Sequence, residues 1–418
     1  MGNAYNPGER YLAKFLSKFP QVKANLKKVY QALNLLLYKK KYTYKSDKAI
    51  NQVASDGETF FGYYDKSPLS ANNRYLLYNE SIHPTNSYPD ASKPIQIKVL
   101  DIQQNKIIHT SSTFSYNWQQ GARAQWLSSS SYIFNSYNIE DNYHSIIVDL
   151  NTEHTTKIAS PVYDCYFNEY ALTLNFSRLT ALRPDYGYRN SKAMSDNAIA
   201  DLNNDGVFKI DLITGDSSLL ISLQALKKHH TEHNMENALH KVNHIMISPD
   251  GERFIFLHRY YVNKRRFDRL FVADKNGGNL RLLAADEMVS HFCWIDNKSI
   301  VVYLRDKLLG DKYYNVDVES GVKEVVGKGL IDNFGDGHPT VCKNKMVFDT
   351  YPNKARMKEL FVFDLSTHSL EKLGEFYEGL QYSGEWRCDL HPRFSLDGTK
   401  IFIDSVHTGK RNLYWLEV

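Results

Sequence analysis

The chain has 418 residues, 42% of them hydrophobic and 23% charged, which excludes a disordered polypeptide and is too long for one small core. No apolar run is long enough for a membrane span, and the N-terminus lacks the basic–apolar–small order of a secretory leader, so a cytoplasmic protein is expected, with Cys165, Cys293, Cys342 and Cys388 as reduced thiols. The net charge of +4 is unevenly placed, because residues 1–46 carry ten Lys/Arg against the single acid Glu9 and the remainder is acidic.

Residues 1–46 read as a basic amphipathic helical arm. Leu12, Phe15, Leu16 and Phe19 recur at helical spacing, and after Pro20 so do Val22, Leu26, Val29, Leu33, Leu36 and Leu37, with lysines between them. Two roles compete. Residues 8–41 either pack their apolar stripe on the body as a cap, or lie on an anionic membrane surface, making the protein peripheral at the inner membrane. A nucleic-acid role is not expected, since the body offers no matching basic groove.

From residue 47 to 418 the pattern changes to short strands and turns. Val242-Asn-His244-Ile-Met-Ile-Ser-Pro-Asp-Gly251 parallels Asp389-Leu-His391-Pro-Arg-Phe-Ser-Leu-Asp-Gly398, and each leads through a Ser-x-Asp-Gly turn into a second strand. Val289-Ser-His291-Phe-Cys-Trp294 and Asp336-Gly-His338-Pro-Thr340 lie between them, so the four histidines are 47, 47 and 53 residues apart. A unit of that length built from four short strands is a propeller blade. Tyr63-Tyr-Asp-Lys-Ser67-Pro68, Arg123-Ala-Gln-Trp126 and Val162-Tyr-Asp-Cys165 open the earlier units, with a polar insertion around 183–204. The expected fold is all-β: a seven-bladed β-propeller with an N-terminal helical arm, closed by a strand near residues 48–54.

Equivalent positions of successive innermost strands meet around a propeller's channel. His244, His291, His338 and His391 therefore converge, with Asp336 and Asp389 two residues before the last two, Tyr63 as the first-blade equivalent and Arg123 as the second. Ring-lining imidazoles beside carboxylates are competent ligands for Mn, Zn or Fe, and neutral imidazole suits a general base. Weaker candidates are Trp118-Gln-Gln-Gly-Ala-Arg123 as a sugar platform, Arg259 as a carboxylate partner or a partner of Asp268, Arg178 and Arg183 as anion binders, Asp349 and Asp404 as turn formers, and the cluster His229-His230-Thr-Glu-His233 as a solvated loop. There is no phosphate-cradling glycine loop, nucleophile elbow or zincin motif.

The Ser248-Pro-Asp-Gly251 and Ser395-Leu-Asp-Gly398 turns resemble those of TolB-type propellers, and the second half of the chain resembles oligogalacturonate lyase, a seven-bladed, metal-dependent, cytoplasmic enzyme of pectin fragments. That resemblance implies His244 as the base and His291 as a manganese ligand. The family's Gln-x-x-His-Pro-His-Pro strand corresponds to Trp386-Arg-Cys-Asp389-Leu-His391-Pro, which keeps His391 but replaces the Gln with Trp386 and the other His with Asp389. Gly62-Tyr-Tyr-Asp-Lys-Ser-Pro68, Trp118-Gln-Gln-Gly-Ala, Asp349-Thr-Tyr-Pro352 and Arg387-Cys-Asp-Leu-His-Pro392 further resemble a group of bacterial propellers associated with polysaccharide gene clusters.

The first functional expectation is a lyase performing β-elimination on an oligosaccharide or polysaccharide containing uronic acid. His244 acts as base and Tyr63 as proton donor to the leaving oxygen. Arg123 or Arg259 pairs with the carboxylate, and His291, His338, His391 and Asp389 hold a divalent metal, Mn favoured. The alternatives are a glycosyltransferase or assembly factor for capsule or O-antigen, suggested by the arm, and a non-catalytic propeller scaffold.

Overall fold

The computed structural model describes residues 20–190, 193–231 and 235–418. The expected first turns of the arm, residues 8–19, and His233 lie outside these residues. The four cysteines are all free thiols.

Seven antiparallel sheets follow one another along the chain. Blade I spans strands Glu58–Phe60 to Lys106–Thr113, blade II Gln125–Trp126 to Thr155–Ile158, blade III Asp164–Tyr166 to Ser217–Ser222 and blade IV Leu239–Ile247 to Arg281–Ala284. Blade V spans Val289–Trp294 to Lys323–Val325, blade VI Thr340–Cys342 to Leu370–Tyr377 and blade VII Arg393–Phe394 to Asn412–Glu417. The fold is the expected seven-bladed propeller, and its core lies between blades. In Ile95–Asp101 of blade I, for example, alternate residues are buried, the period-two pattern of a strand with one face in the core.

The hairpin after each innermost strand explains the repeat. Ser248 Oγ donates to Asp250 Oδ1 at 2.6 Å and accepts from Arg253 N at 3.0 Å, so the turn satisfies its own polar groups. Gly251 sits at φ 73°, and a Cβ there would meet the Tyr166 ring at 2.5 Å. Ser395 and Asp397 repeat the arrangement, and Ser70 with Asn72 builds it again in blade I without the Asp-Gly spelling.

The chain closes the ring with its N-terminal strands. Ile50–Gln52 pairs with the outer strand of blade VII, Ile50 opposite Leu416, as the sequence predicts. Tyr44–Ser46, expected within the arm, instead adds a fifth strand to blade VI, with Tyr44 opposite Phe376, so the body begins before residue 47.

Helix α1, Pro20–Tyr38, opens on a proline, whose missing N–H costs nothing at a helix start. Its apolar stripe is uncovered: Leu33 is 55% exposed, Leu36 80% and Leu37 74%. The cap reading is therefore not realised over the described part of the arm. No described helix is long and apolar enough to cross a membrane.

The insertion in blade III runs from 175 to 205, between strands Tyr170–Leu174 and Gly206–Asp211. It contains α2, Phe176–Leu182, capped by the Asn175 side chain, a single 3-10 turn at Pro184–Tyr186, and α3, Asp196–Ala200. Arg178 is buried and pairs with Asp205 at 2.5 Å while donating to the carbonyls of Ala198, Ile199, Asp201 and His240. It ties both ends of the insertion to the body, which corrects its expected role as an anion binder. Strand order puts this second-to-third-strand connection on the face where the innermost strands begin, over the channel mouth.

Candidate functional site

The four histidines and Tyr63 converge, as the repeat predicts. Ring centroids are 6.0 Å apart for His244–His291, 4.1 Å for His291–His338, 4.3 Å for His338–His391 and 5.1 Å for His391–Tyr63. Tyr63 lies parallel to His244, and its hydroxyl is 2.7 Å from Nδ1. All five side chains are buried. Tyr64 crosses the channel from blade I, donating its hydroxyl to the Phe292 carbonyl at 3.1 Å and accepting from the Phe292 N–H at 3.2 Å.

Backbone geometry aims these groups. His244, His391 and Arg123, equivalent positions in three blades, all adopt left-handed φ, at 52°, 45° and 53°. Non-glycine residues there cost about 1 kcal/mol or more, so the surrounding structure must hold them. At His244 the strand register shifts between Asn243 and Met246, a bulge that turns the imidazole inward. At Tyr63 the preceding Gly62 takes φ 110°. Asp404 grips that peptide from blade VII, accepting from Phe61 N at 3.0 Å and Gly62 N at 2.9 Å, while Arg393 closes on Asp404 at 2.7 Å. Asp404 is thus a positioning group rather than a turn former.

The hydrogen bonds also fix tautomers. His391 Nδ1 is 2.7 Å from the Gly62 carbonyl, which only accepts, so Nδ1 carries the proton and Nε2 the lone pair. His338 Nδ1 donates to Asp349 at 2.9 Å, and Asp349 also accepts the backbone N–H of His338 at 2.7 Å and of His391 at 3.3 Å. Asp349, read from the sequence as a turn former, instead serves both histidines. Nε2 of both imidazoles is buried without a hydrogen-bond partner. Ligand atoms of His338, His391 and Asp389 fall within 4.8 Å of one another.

These residues fit a divalent cation. Two orphaned imidazole nitrogens, each with its other nitrogen held by a carboxylate or carbonyl, match the arrangement that orients metal-binding histidines. Asp389 is also shared, 2.7 Å from Arg387 and 3.3 Å from Lys358. His291 stands at the edge of this group, with Nδ1 3.2 Å from Asp336, and Ser290 donates to that carboxylate at 2.5 Å. Trp386 faces away, donating to the Gln381 carbonyl, and His338 is the third member of the group with His391 and Asp389.

Charge states follow from burial and neighbours. Burial, then the Arg259 charge, pushes His244 well below the ordinary histidine value, and burial with His338 does the same to His391. Burial and the His338 charge lower His291 against the opposing Asp336. Burial works against the cation of His338 too, but Asp349, Asp389 and Asp336 outweigh it and hold it above the ordinary value. Burial would raise Asp389, yet Arg387 and Lys358 keep it well below the carboxylate range. Burial, reinforced by the neighbouring tyrosines, raises Tyr63 well above the phenol value.

Neither expected arginine is free for a substrate. Arg123 forms a two-point pair with Asp65, at 3.1 and 2.7 Å, and donates Nε to the Tyr163 carbonyl at 2.8 Å. Arg259 Nε lies 2.8 Å from Asp268 Oδ1, an ion pair without hydrogen-bond alignment, and its Nη2 donates to the Val289 carbonyl at 3.4 Å. Trp118 packs on Phe60 and Tyr116 rather than forming a sugar platform. The insertion roofs the site with Tyr186, 5.2 Å from His244, and is clasped to blades VI and VII by Arg387–Asp185 at 3.2 Å and Arg189–Glu385. Tyr186 went unrecognised because nothing in a Tyr-rich insertion marks which ring folds inward.

No protein-family model matches the chain, and no curated protein matches it in sequence. Among solved structures, oligogalacturonate lyase from Vibrio parahaemolyticus superposes with a TM-score of 0.58 at 13% identity, covering 90% of this chain and 96% of that one. An oligogalacturonate lyase in complex with manganese gives 0.57 at 13% identity, over 90% and 94% of the two chains. At that identity the likeness establishes the shared propeller fold.

Proposed function

We propose that this chain is a carbohydrate-active lyase cleaving a uronic-acid-containing glycan by β-elimination. The observation that carries the reading is the Tyr63 hydroxyl 2.7 Å from His244 Nδ1, beside the orphaned nitrogens of His338 and His391. With His244 Nδ1–H donated to the tyrosine oxygen, Nε2 is the free base for the proton on the carbon bearing the carboxylate. Tyr63, held protonated, gives its hydrogen to the departing glycosidic oxygen and recovers one from Nδ1. His338, His391 and Asp389, with His291 adjoining, would hold a divalent cation, manganese favoured from this donor set and from the manganese complex of the similarly folded lyase. Bound there, the cation supplies Lewis-acid stabilisation of charge on the substrate carboxylate. The substrate enters past Asp185–Arg189, so the clasp must open.

The test is incubation with uronate-containing oligosaccharides, with and without chelator, while following the ultraviolet absorbance of the unsaturated product. Absorbance should rise with wild type and stay flat with chelator or with His244→Ala. No rise on any uronate substrate overturns the reading.

For the arm we propose an anionic membrane surface. Leu26, Val29, Leu33, Leu36 and Leu37 are exposed along one stripe of α1, with Lys27, Lys28, Lys39, Lys40 and Lys41 exposed beside them.

A further inference from the structure

Lys241 lies on the innermost strand of blade IV, three residues before His244. It is 1% exposed, and its Nζ has no hydrogen-bond partner. Lysine is almost never so buried unless paired, because an ammonium out of water without a counter-charge is among the costliest groups in a protein. Its charged neighbours come from three directions. Arg259 and Asp268 belong to the next strands of blade IV, Arg183 and Asp185 to the insertion, and His244 and His258 feel the Lys241 charge in turn.

Both carboxylates in that set are already committed. Asp268 is bridged by Arg259 at 2.8 Å and Arg266 at 3.1 Å, and Asp185 by Arg183 at 2.8 Å and Arg387 at 3.2 Å. Arg387 is also shared with Asp389, so three carboxylates serve four guanidinium groups and still leave a net positive field before Lys241 is counted. Burial, then Arg259 and Arg183, push the Lys241 amine well below the ordinary lysine value. Three residues from the proposed base, and near enough to act on its charge, the strand therefore carries a dry, unmatched amine in an excess of positive charge.

We infer that Lys241 is the anchor for the substrate carboxylate, pairing with it as an ammonium next to His244 and taking up a proton as the anion binds. This rests on the lyase reading and gives it the anion contact that Arg123 and Arg259, engaged elsewhere, do not provide. The incoming carboxylate supplies the missing counter-charge, so the proton comes from solvent and no bond within the protein is broken.

The probes are galacturonate and glucuronate monosaccharides, which have no glycosidic bond to cleave, and their neutral methyl esters. Binding to the full chain is measured by calorimetry in two buffers of different ionisation enthalpy, for wild type, Lys241→Met and Lys241→Gln. Wild type should bind the acids with proton uptake, and both variants should bind them about 10- to 100-fold more weakly, without uptake, while binding the esters unchanged. Both variants should melt no lower than wild type, since each removes an unpartnered buried amine. Unaltered acid binding in either folded variant, or proton uptake that persists without the lysine, overturns the inference. Uronate binding with proton uptake in wild type but no unsaturated product from oligosaccharides sinks the lyase reading and leaves the anion site standing. Normal cleavage with unchanged KM in Lys241→Met does the reverse.

Discussion

Replacing Asp349 with asparagine tests whether the imidazoles of blades VI and VII are held ready for a cation. One carboxylate oxygen takes the backbone N–H of His338 at 2.7 Å and its ring Nδ1 at 2.9 Å, and the other takes the backbone N–H of His391 at 3.3 Å. Asparagine keeps one acceptor and turns the other into a donor, so at least one buried N–H loses its partner, at a cost of about 1–3 kcal/mol. The lost charge adds a pH-dependent part. Burial disfavours the His338 cation, and Asp349 is the chief group outweighing it, so the folded value stands above the ordinary one. A group raised in this way contributes stability that is complete below the ordinary histidine range and is lost as pH rises through the folded value. Metal-free Asp349→Asn should therefore be destabilised more at about pH 5 than at about pH 9, read from urea melts of chelator-treated protein. Manganese binding by calorimetry should weaken about 10- to 100-fold, the usual effect of removing a group that orients a ligating histidine. Equal destabilisation at both pH values, together with unchanged manganese affinity, would refute the reasoning.

His244→Ala should lower kcat by about 10²- to 10⁴-fold with substrate affinity nearly intact, and a proportional loss of affinity would argue against a base. Because burial and Arg259 depress His244, the acid limb of the wild-type kcat/KM profile should lie below about pH 6.5, and a limb at or above it would contradict the assignment. Gly62→Ala should abolish activity and lower the melting temperature, since its φ is 110° and a Cβ would sit 2.7 Å from the Gln120 carbonyl carbon; a variant with wild-type activity and melting would remove Gly62 from the account of how Tyr63 is aimed. Co-sedimentation with anionic liposomes should fall at high salt and vanish in Leu33→Glu/Leu36→Glu, whereas equal binding to neutral liposomes would rule out the anionic surface.

The propeller was legible because its repeat is spelled in chemistry that each turn requires. Ser248, Asp250 and Gly251 close one hairpin, and Ser395, Asp397 and Gly398 close another with the same bonds. Blade I escaped a tight match because Ser70 and Asn72 make the same turn with Asn73 at φ 57° in place of glycine. The ring of histidines was legible for the same reason, since period and position on the innermost strand fix where side chains meet. What surrounds the ring was not. Asp349 and Asp404 act through backbone N–H groups of other blades, and Lys241 is notable only for a partner it lacks, which no sequence pattern displays. Arg123 and Arg259 misled because a guanidinium near a site reads as available until Asp65 and Asp268 are seen to hold it.

The closing strand has a consequence for the order of events during synthesis. Ile50 leaves the ribosome early but finds its partner, Leu416, only when nearly the whole chain has followed, and Tyr44 waits for Phe376. Such contacts span the largest loops in the molecule and are entropically the last to form. His338 and His391, with Gly62 across the junction, belong to the same late-sealing sector. Until it seals, the edges of blades VI and VII stay open to wrong partners, and the nascent protein holds His338, His391 and Asp389 without the cage that brings them together. A chain released short of residue 412 would keep His391 in its sequence yet lack the outer strand against which Ile50–Gln52 must lock.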